Sequence, residues 1–187
     1  DILVNNAGGR PPGIVLPHFG FLSLSDEAWQ SVVDFNLLSA VRACRAAIPA
    51  MIQRGGGAIV NISSGHARQP SAVNVHYGAA KAGLNHLTRS LAEEWGPTAR
   101  VNCVALGPTM TDNFKHFSLP ADDPQGRNYF RNIPLGRAGE PAEVGRICVF
   151  LCSGQADYVN GTTIEMDGGM LHGVLYEAGV QAIRDLL

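Results

Sequence analysis

Tyr77 and Lys81 stand four residues apart near the start of a segment with helical pattern, so both side chains project from one face. With 4 tyrosines and 2 lysines in 187 residues, about 0.04 such pairs are expected by chance. An ammonium beside a phenol favours the phenolate and lowers its pKa from about 10, which brings proton exchange nearer neutral pH. That chemistry suits the interconversion of a carbonyl and an alcohol. The competing reading is a solvated helix face with an unrelated tyrosine and lysine, so other residues must decide.

Several other chemistries find no support. The six histidines show no H-E-x-x-H or other close ligand spacing, so no metal site is expected. His66 and His76 read as pocket rim or surface. No Walker A pattern occurs, and Ser64, in Ile62-Ser63-Ser64-Gly65-His66, lacks the G-x-S-x-G elbow of a serine hydrolase. Gly55-Gly56-Gly57 follows a helix and precedes a strand, the reverse of a dinucleotide fingerprint, and reads as a turn. Cys44, Cys103, Cys148 and Cys152 form no C-x-x-C pair; Cys148 and Cys152 share a helix face but read as small buried thiols.

Composition narrows the class further. The apolar share is 45%, the charged share 16% and the formal charge −2, which excludes a disordered chain and gives no basic footprint for nucleic acid or an anionic membrane. No run approaches the ~18 uninterrupted apolar residues of a membrane span, and the first residues lack the blocks of a signal peptide. The expected setting is the cytoplasm.

These residues need elements to hold them. Ile2-Leu3-Val4 is an apolar run stopped by Asn5-Asn6-Ala7-Gly8-Gly9, followed by a Gly/Pro-rich loop to Leu24. From Ser25, an N-cap candidate, a long helical pattern carries Val33, Leu37, Val41 and Ile48 and ends at Gly55. Residues 58–63 read as a buried strand, 75–95 as a helix, 101–106 as a strand, 141–153 as a helix opened by Pro141, and 162–167 as a strand. Strands alternating with helices predict an α/β fold, a Rossmann-like doubly wound parallel sheet in one domain over 1–187, with ligands beyond the carboxyl ends of the strands. Residues 112–135 lack period and are expected to form a substrate lid, whose Phe114, Phe117, Tyr129 and Phe130 predict a partly apolar pocket; Arg127 and Arg131 read as solvated lid charges. The tail, 171–187, has an apolar face of its own.

At the strand ends and helix starts, Asn5-Asn6-Ala7-Gly8, Asn36, Ser64, Tyr77-x-x-x-Lys81 and the stretch after the third strand together make the chain resemble the short-chain dehydrogenase/reductase superfamily. Pro134-Leu135-Gly136-Arg137, Asn160-Gly161 and Asp167-Gly168-Gly169 are similar to the branch that includes 3-oxoacyl-carrier-protein reductases. The resemblance implies NAD or NADP as cofactor. It makes Tyr77 the general acid/base, Lys81 the group that lowers its pKa and holds the nicotinamide ribose, and Ser64 the partner of the substrate oxygen. Asn36 would hold a water behind Lys81. Asn5, Ala7 and Gly8, with Gly107, Thr109 and Thr111, would pack against the cofactor, although Leu106 stands where proline is usual.

The G-x-G-x-x-G turn and the acidic or basic residue that chooses between NAD and NADP are absent, so Asp1 is expected to open the fourth strand of the family order, with the N-terminal dinucleotide-binding half missing. The expected partners are a small carbonyl or alcohol and copies of this chain in a homodimer or homotetramer, paired through the helices around Ala40 and Leu84. A second reading is a non-catalytic binding or dimerisation module. A third makes an acyl-carrier protein the partner, met by Arg68, Arg89 or Arg131.

Overall fold

A computed structural model describes residues 1–11, 21–71, 74–112, 114 and 133–170. Most of the expected lid, including Phe117, Arg127, Tyr129, Phe130 and Arg131, and the tail lie outside them. Four strands, β1 (Ile2–Asn5), β2 (Gly57–Ser64), β3 (Ala99–Leu106) and β4 (Thr163–Met166), form one sheet in sequence order. All neighbours are parallel, with Val4 beside Val60, Val60 beside Asn102, and Val104 beside Ile164. A parallel sheet must be covered on both faces, and the two-residue period of β2 shows how. Ile59, with Val101, packs under Cys44, Ile48, Met51 and Ala92; Val60 and Ile62, with Val104, pack under Leu151 and Ala156.

Helix α1 (Asp26–Val33), a π-helical turn (Asp34–Leu38) and α2 (Ser39–Arg54) form one continuous rod. Ser25 caps it, its hydroxyl accepting from the Ala28 N–H at 3.3 Å. Gly55, left-handed at φ 78°, closes it. The rod spans 29 residues and is apolar enough by length and composition to cross a membrane. Its stripe of Ala28, Val32, Asn36, Ala40, Cys44, Ile48 and Met51 is buried within this chain. The stripe differs from the expected one: Val33, Leu37 and Val41 are only half-buried, because they sit beside the stripe, where Leu37 meets α3 (Val75–Trp95) at Gly83.

Helix α3 buries Ala80, Lys81, Leu84, Asn85, Thr88 and Ala92. Two of its small residues expected to pair with another copy, Ala80 and Gly83, are therefore used inside the chain; Ala82 is exposed. Helix α4 (Pro141–Cys152) starts on proline, and Glu143 folds back to accept the Glu140 N–H at 2.8 Å. The four cysteines are free; Cys44 and Cys103 are buried, whereas Cys148 and Cys152, expected to be buried, are only half-buried, and desolvation pushes all four thiols up. Ile2 and Val4 on β1 are 60% and 41% exposed, and β1 pairs with β2 alone among the described residues.

A polar chain ties the layers below the strand ends. Asn5 Nδ2 donates to Asn61 Oδ1 at 2.7 Å, Asn61 Nδ2 donates to Thr88 Oγ1 at 2.9 Å, and that hydroxyl donates to the Leu84 carbonyl at 2.9 Å. Asn61 is fully buried, so removing its amide takes one hydrogen bond from each of Asn5 and Thr88 in a site without water to replace it. Asn61→Ala is expected to cost about 2 kcal/mol in urea unfolding. A loss below about 0.5 kcal/mol would show that the chain carries no such weight.

Candidate functional site

The carboxyl ends of all four strands open on one side, and a cavity of about 650 Å³ lies there. Strand β2 brings Ser64 to its rim and α3 brings Tyr77 and Lys81, one turn apart. The Ser64 hydroxyl lies close enough to the Tyr77 phenol to favour its phenolate, and its oxygen accepts the His66 N–H at 3.3 Å, which fixes the turn after β2. Lys81 Nζ donates to the Ile62 carbonyl at 2.8 Å and sits 5.8 Å from the centre of the Tyr77 ring.

Burial governs the protonation of both groups. It pushes the Tyr77 phenol above its ordinary range, while the neighbouring Ser64 hydroxyl pulls the other way. The expected lowering by Lys81 is not what this arrangement gives. The ammonium faces the ring and is bonded to the Ile62 carbonyl, so desolvation dominates at the phenol. Lys81, 3% exposed, is itself brought down to about 8 by desolvation.

Asn36 sits in the π turn. Its Nδ2 donates to the Val32 carbonyl at 3.0 Å, and Ser39 N–H reaches back to the Asp34 carbonyl. The same amide clamps the loop after β1: Nδ2 donates to the Gly9 carbonyl at 2.9 Å, and Oδ1 accepts the Gly9 N–H at 2.7 Å. Gly8 lies between the two polar groups. A Cβ there would stand 2.7 Å from Lys81 Nζ and 3.2 Å from Asn36 Oδ1, so glycine is what lets the loop approach the ammonium.

The remaining expected residues divide. Gly8, Gly107, Thr109 and Thr111 line the cavity. Gly107 passes so close to Asp167 that a Cβ would lie 2.6 Å from its Cα. Thr109 is held by backbone bonds on either side, Gly139 N–H to the Pro108 carbonyl and Met110 N–H to the Gly139 carbonyl. Arg137 steadies that segment by a two-pronged pair with Glu143 at 2.9 and 2.8 Å. Asn5 and Ala7 do not line the cavity. Strand alternation turns Asn5 into the polar chain with Asn61, and its neighbour Asn6 faces the opening instead.

Sequence reasoning passed over Arg10, Gln69 and Asn74, and assigned His66 to the rim without a role; all four line the cavity. His66 meets the Tyr77 ring edge-on at 5.9 Å. Their signal was weak, because none belongs to a spaced motif. Among the described residues no cluster of His, Cys, Asp and Glu is disposed to hold a metal ion.

A profile of the family described as enoyl-(acyl carrier protein) reductase matches residues 1–171. The chain is similar to the 3-oxoacyl-(acyl-carrier-protein) reductase FabG of Chlamydia muridarum, 39% identical over 171 residues, which are 91% of this chain and 65% of that protein. It is also similar to the 2-dehydro-3-deoxy-D-gluconate 5-dehydrogenase of Escherichia coli K12, 38% identical over 91% of this chain and 65% of that one. The gluconate 5-dehydrogenase of Burkholderia cenocepacia, solved in complex with NADP and tartrate, superposes with a TM-score of 0.81 at 28% identity, over 93% of this chain and 66% of that one. A short chain dehydrogenase of Bacillus anthracis gives 0.77 at 34% identity, over 94% and 66%. The chain thus spans about 65% of the length of the curated relatives it matches. By profile, identity and fold together, it belongs to the short-chain dehydrogenase/reductase superfamily.

Proposed function

We propose that the cavity is the catalytic centre of an NAD(P)-dependent oxidoreductase that interconverts a carbonyl and an alcohol, with Tyr77 as general acid/base. The observation that carries this reading is that Ser64, Tyr77 and Lys81 meet at one cavity, with the Lys81 ammonium 5.8 Å from the centre of the Tyr77 ring. Several relatives carry names of NADP complexes or of dehydrogenases and reductases, which supports the same class.

The cavity suits a nicotinamide: it opens beyond the ends of β1, β2 and β3, and its lining includes Gly8, Gly9 and Gly107, whose small size allows close approach. When bound, the cofactor supplies or accepts the hydride at the substrate carbon. The protein handles the oxygen. Ser64 and Tyr77 orient a carbonyl oxygen by two hydrogen bonds, and Tyr77 passes its proton to that oxygen as it gains charge. A phenol raised by burial is protonated at neutral pH, which is the form reduction needs. Lys81 then offers its positive charge to the phenolate left behind, and Asn36 keeps the Gly8–Gly9 loop beside that ammonium.

Tyr77→Phe in the full-length protein removes the transferable proton while keeping the ring packed against Ala28 and Val32. Turnover is expected to fall by at least about 10²–10⁴, with circular dichroism and melting unchanged. Retained turnover would overturn the assignment.

The buried ammonium also makes stability depend on pH. The unfolded chain keeps the Lys81 proton up to 10.5, whereas the fold releases it at about 8, so the unfolded state binds more protons in that window and stability rises with pH there. Lys81→Met removes this contribution. The stability of wild type relative to that variant is expected to grow from about pH 8 upward, as read by urea unfolding across pH. A difference independent of pH would contradict the burial of a charged amine.

A further inference from the structure

Strand β2 and helix α3 touch at successive positions, and the contacts continue beyond the groups that do the chemistry. Lys81 Nζ donates to the Ile62 carbonyl at 2.8 Å, and Ser63 Oγ donates to the Lys81 carbonyl at 3.3 Å. Ser64 then lies close to the Tyr77 phenol. The next contact falls on two residues that proton and hydride transfer make no use of, His66 and Gly78. A Cβ on Gly78 would stand 2.9 Å from the His66 carbonyl oxygen. Gly78 lies in the first turn of α3, its N–H donating to the Asn74 carbonyl at 2.9 Å, and alanine would serve that helix better. The close approach is what calls for glycine there. What a Cβ would meet is backbone, which cannot rotate aside as a side chain would.

The turn seated on Gly78 is tied within itself. The His66 N–H is held on Ser64 Oγ, and the Arg68 and Gln69 N–H groups share the Gly65 carbonyl at 3.0 and 2.9 Å. A shift of the His66 backbone therefore carries Ser64 with it. The same residue reaches the phenol from its other end: the imidazole stands nearly perpendicular to the Tyr77 ring, at 81°, with centres 5.9 Å apart. Aromatic pairs favour that arrangement. Burial lowers the His66 pKa, so the imidazole is neutral at neutral pH and packs as a ring without adding a second positive charge beside Lys81.

We infer that His66 and Gly78 are positioning residues for the Ser64–Tyr77 pair: the seat of the His66 carbonyl on Gly78 sets how near Ser64 comes to the phenol, and the imidazole holds the Tyr77 ring there. The inference rests on the reading of Ser64 and Tyr77 as groups of the catalytic centre.

The test follows turnover of the full-length protein on two probes, acetoacetyl-N-acetylcysteamine with NADPH or NADH and D-gluconate with NADP+ or NAD+, together with 13C NMR of protein labelled at tyrosine Cζ. Gly78→Ala is expected to lower kcat about 10- to 100-fold with the cofactor KM and the melting temperature kept, because a small misplacement of reacting groups costs that much. His66→Ala should lower kcat about 3- to 10-fold, and His66→Phe, which keeps an aromatic ring against Tyr77, should restore most of it. In a Ser64→Ala background each change should cost no more than about twofold, since groups that act through one another are not additive. The Tyr77 resonance, identified by its loss in Tyr77→Phe, should move in Gly78→Ala in the direction it moves in Ser64→Ala, whether or not either probe is turned over. Should Gly78→Ala fail to fold, the two His66 variants carry the test. Wild-type kcat in His66→Ala, losses that persist in full without Ser64, His66→Phe no better than His66→Ala, or an unmoved Tyr77 resonance in a folded Gly78→Ala would overturn the inference. Failure of the catalytic reading looks different: the resonance moves in Gly78→Ala, but Tyr77→Phe leaves turnover intact.

Discussion

A buried ammonium is costly unless the protein gives it acceptors, and Lys81 is 3% exposed. The Ile62 carbonyl at the end of β2 supplies one at 2.8 Å, so the position of the charge is set by the sheet rather than by the helix that carries it. Everything else at the site is arranged around that point. The Tyr77 ring lies over the ammonium, and Gly8 has no side chain because the same space is taken by Lys81 Nζ and Asn36 Oδ1. Desolvation makes the ammonium easier to deprotonate and the phenol harder, so the two pKa values, close together in water, are pushed apart and the lysine gives up its proton first.

Holding the loop after β1 against this charge requires a further device, and the π turn provides it. From that turn Asn36 gives one amide hydrogen to the Val32 carbonyl and the other to Gly9. The local irregularity thus links the long rod, the first strand and the site.

Much of this was legible in the residue order. Alternating apolar runs and helical periods marked β1 to β4, the long rod as one helix, α3 and α4, and the Tyr77/Lys81 spacing marked the proposed centre, because each depends on local pattern. What escaped depends on contacts distant in sequence. The buried stripe through Asn36 and Cys44 was displaced from the expected one by Leu37 packing against Gly83, and Asn5 was drawn away from the cavity by Asn61, 56 residues on. Arg10 and Gln69 reach the cavity only because folding brings two loops to one opening. The protonation of Tyr77 likewise required knowing that the lysine meets its ring while burial surrounds its oxygen.

The central claim is that this cavity moves a hydride to a carbon whose oxygen Tyr77 serves. Its most direct test is to run the reduction in the full-length protein with NADPH or NADH deuterated at C4 of the nicotinamide, and to analyse the product by mass spectrometry and NMR. The account predicts one deuterium on the new carbinol carbon from one C4 face of the cofactor, and none from solvent D2O at that position. A product whose carbinol hydrogen comes from solvent, or no transfer from either face, would contradict it.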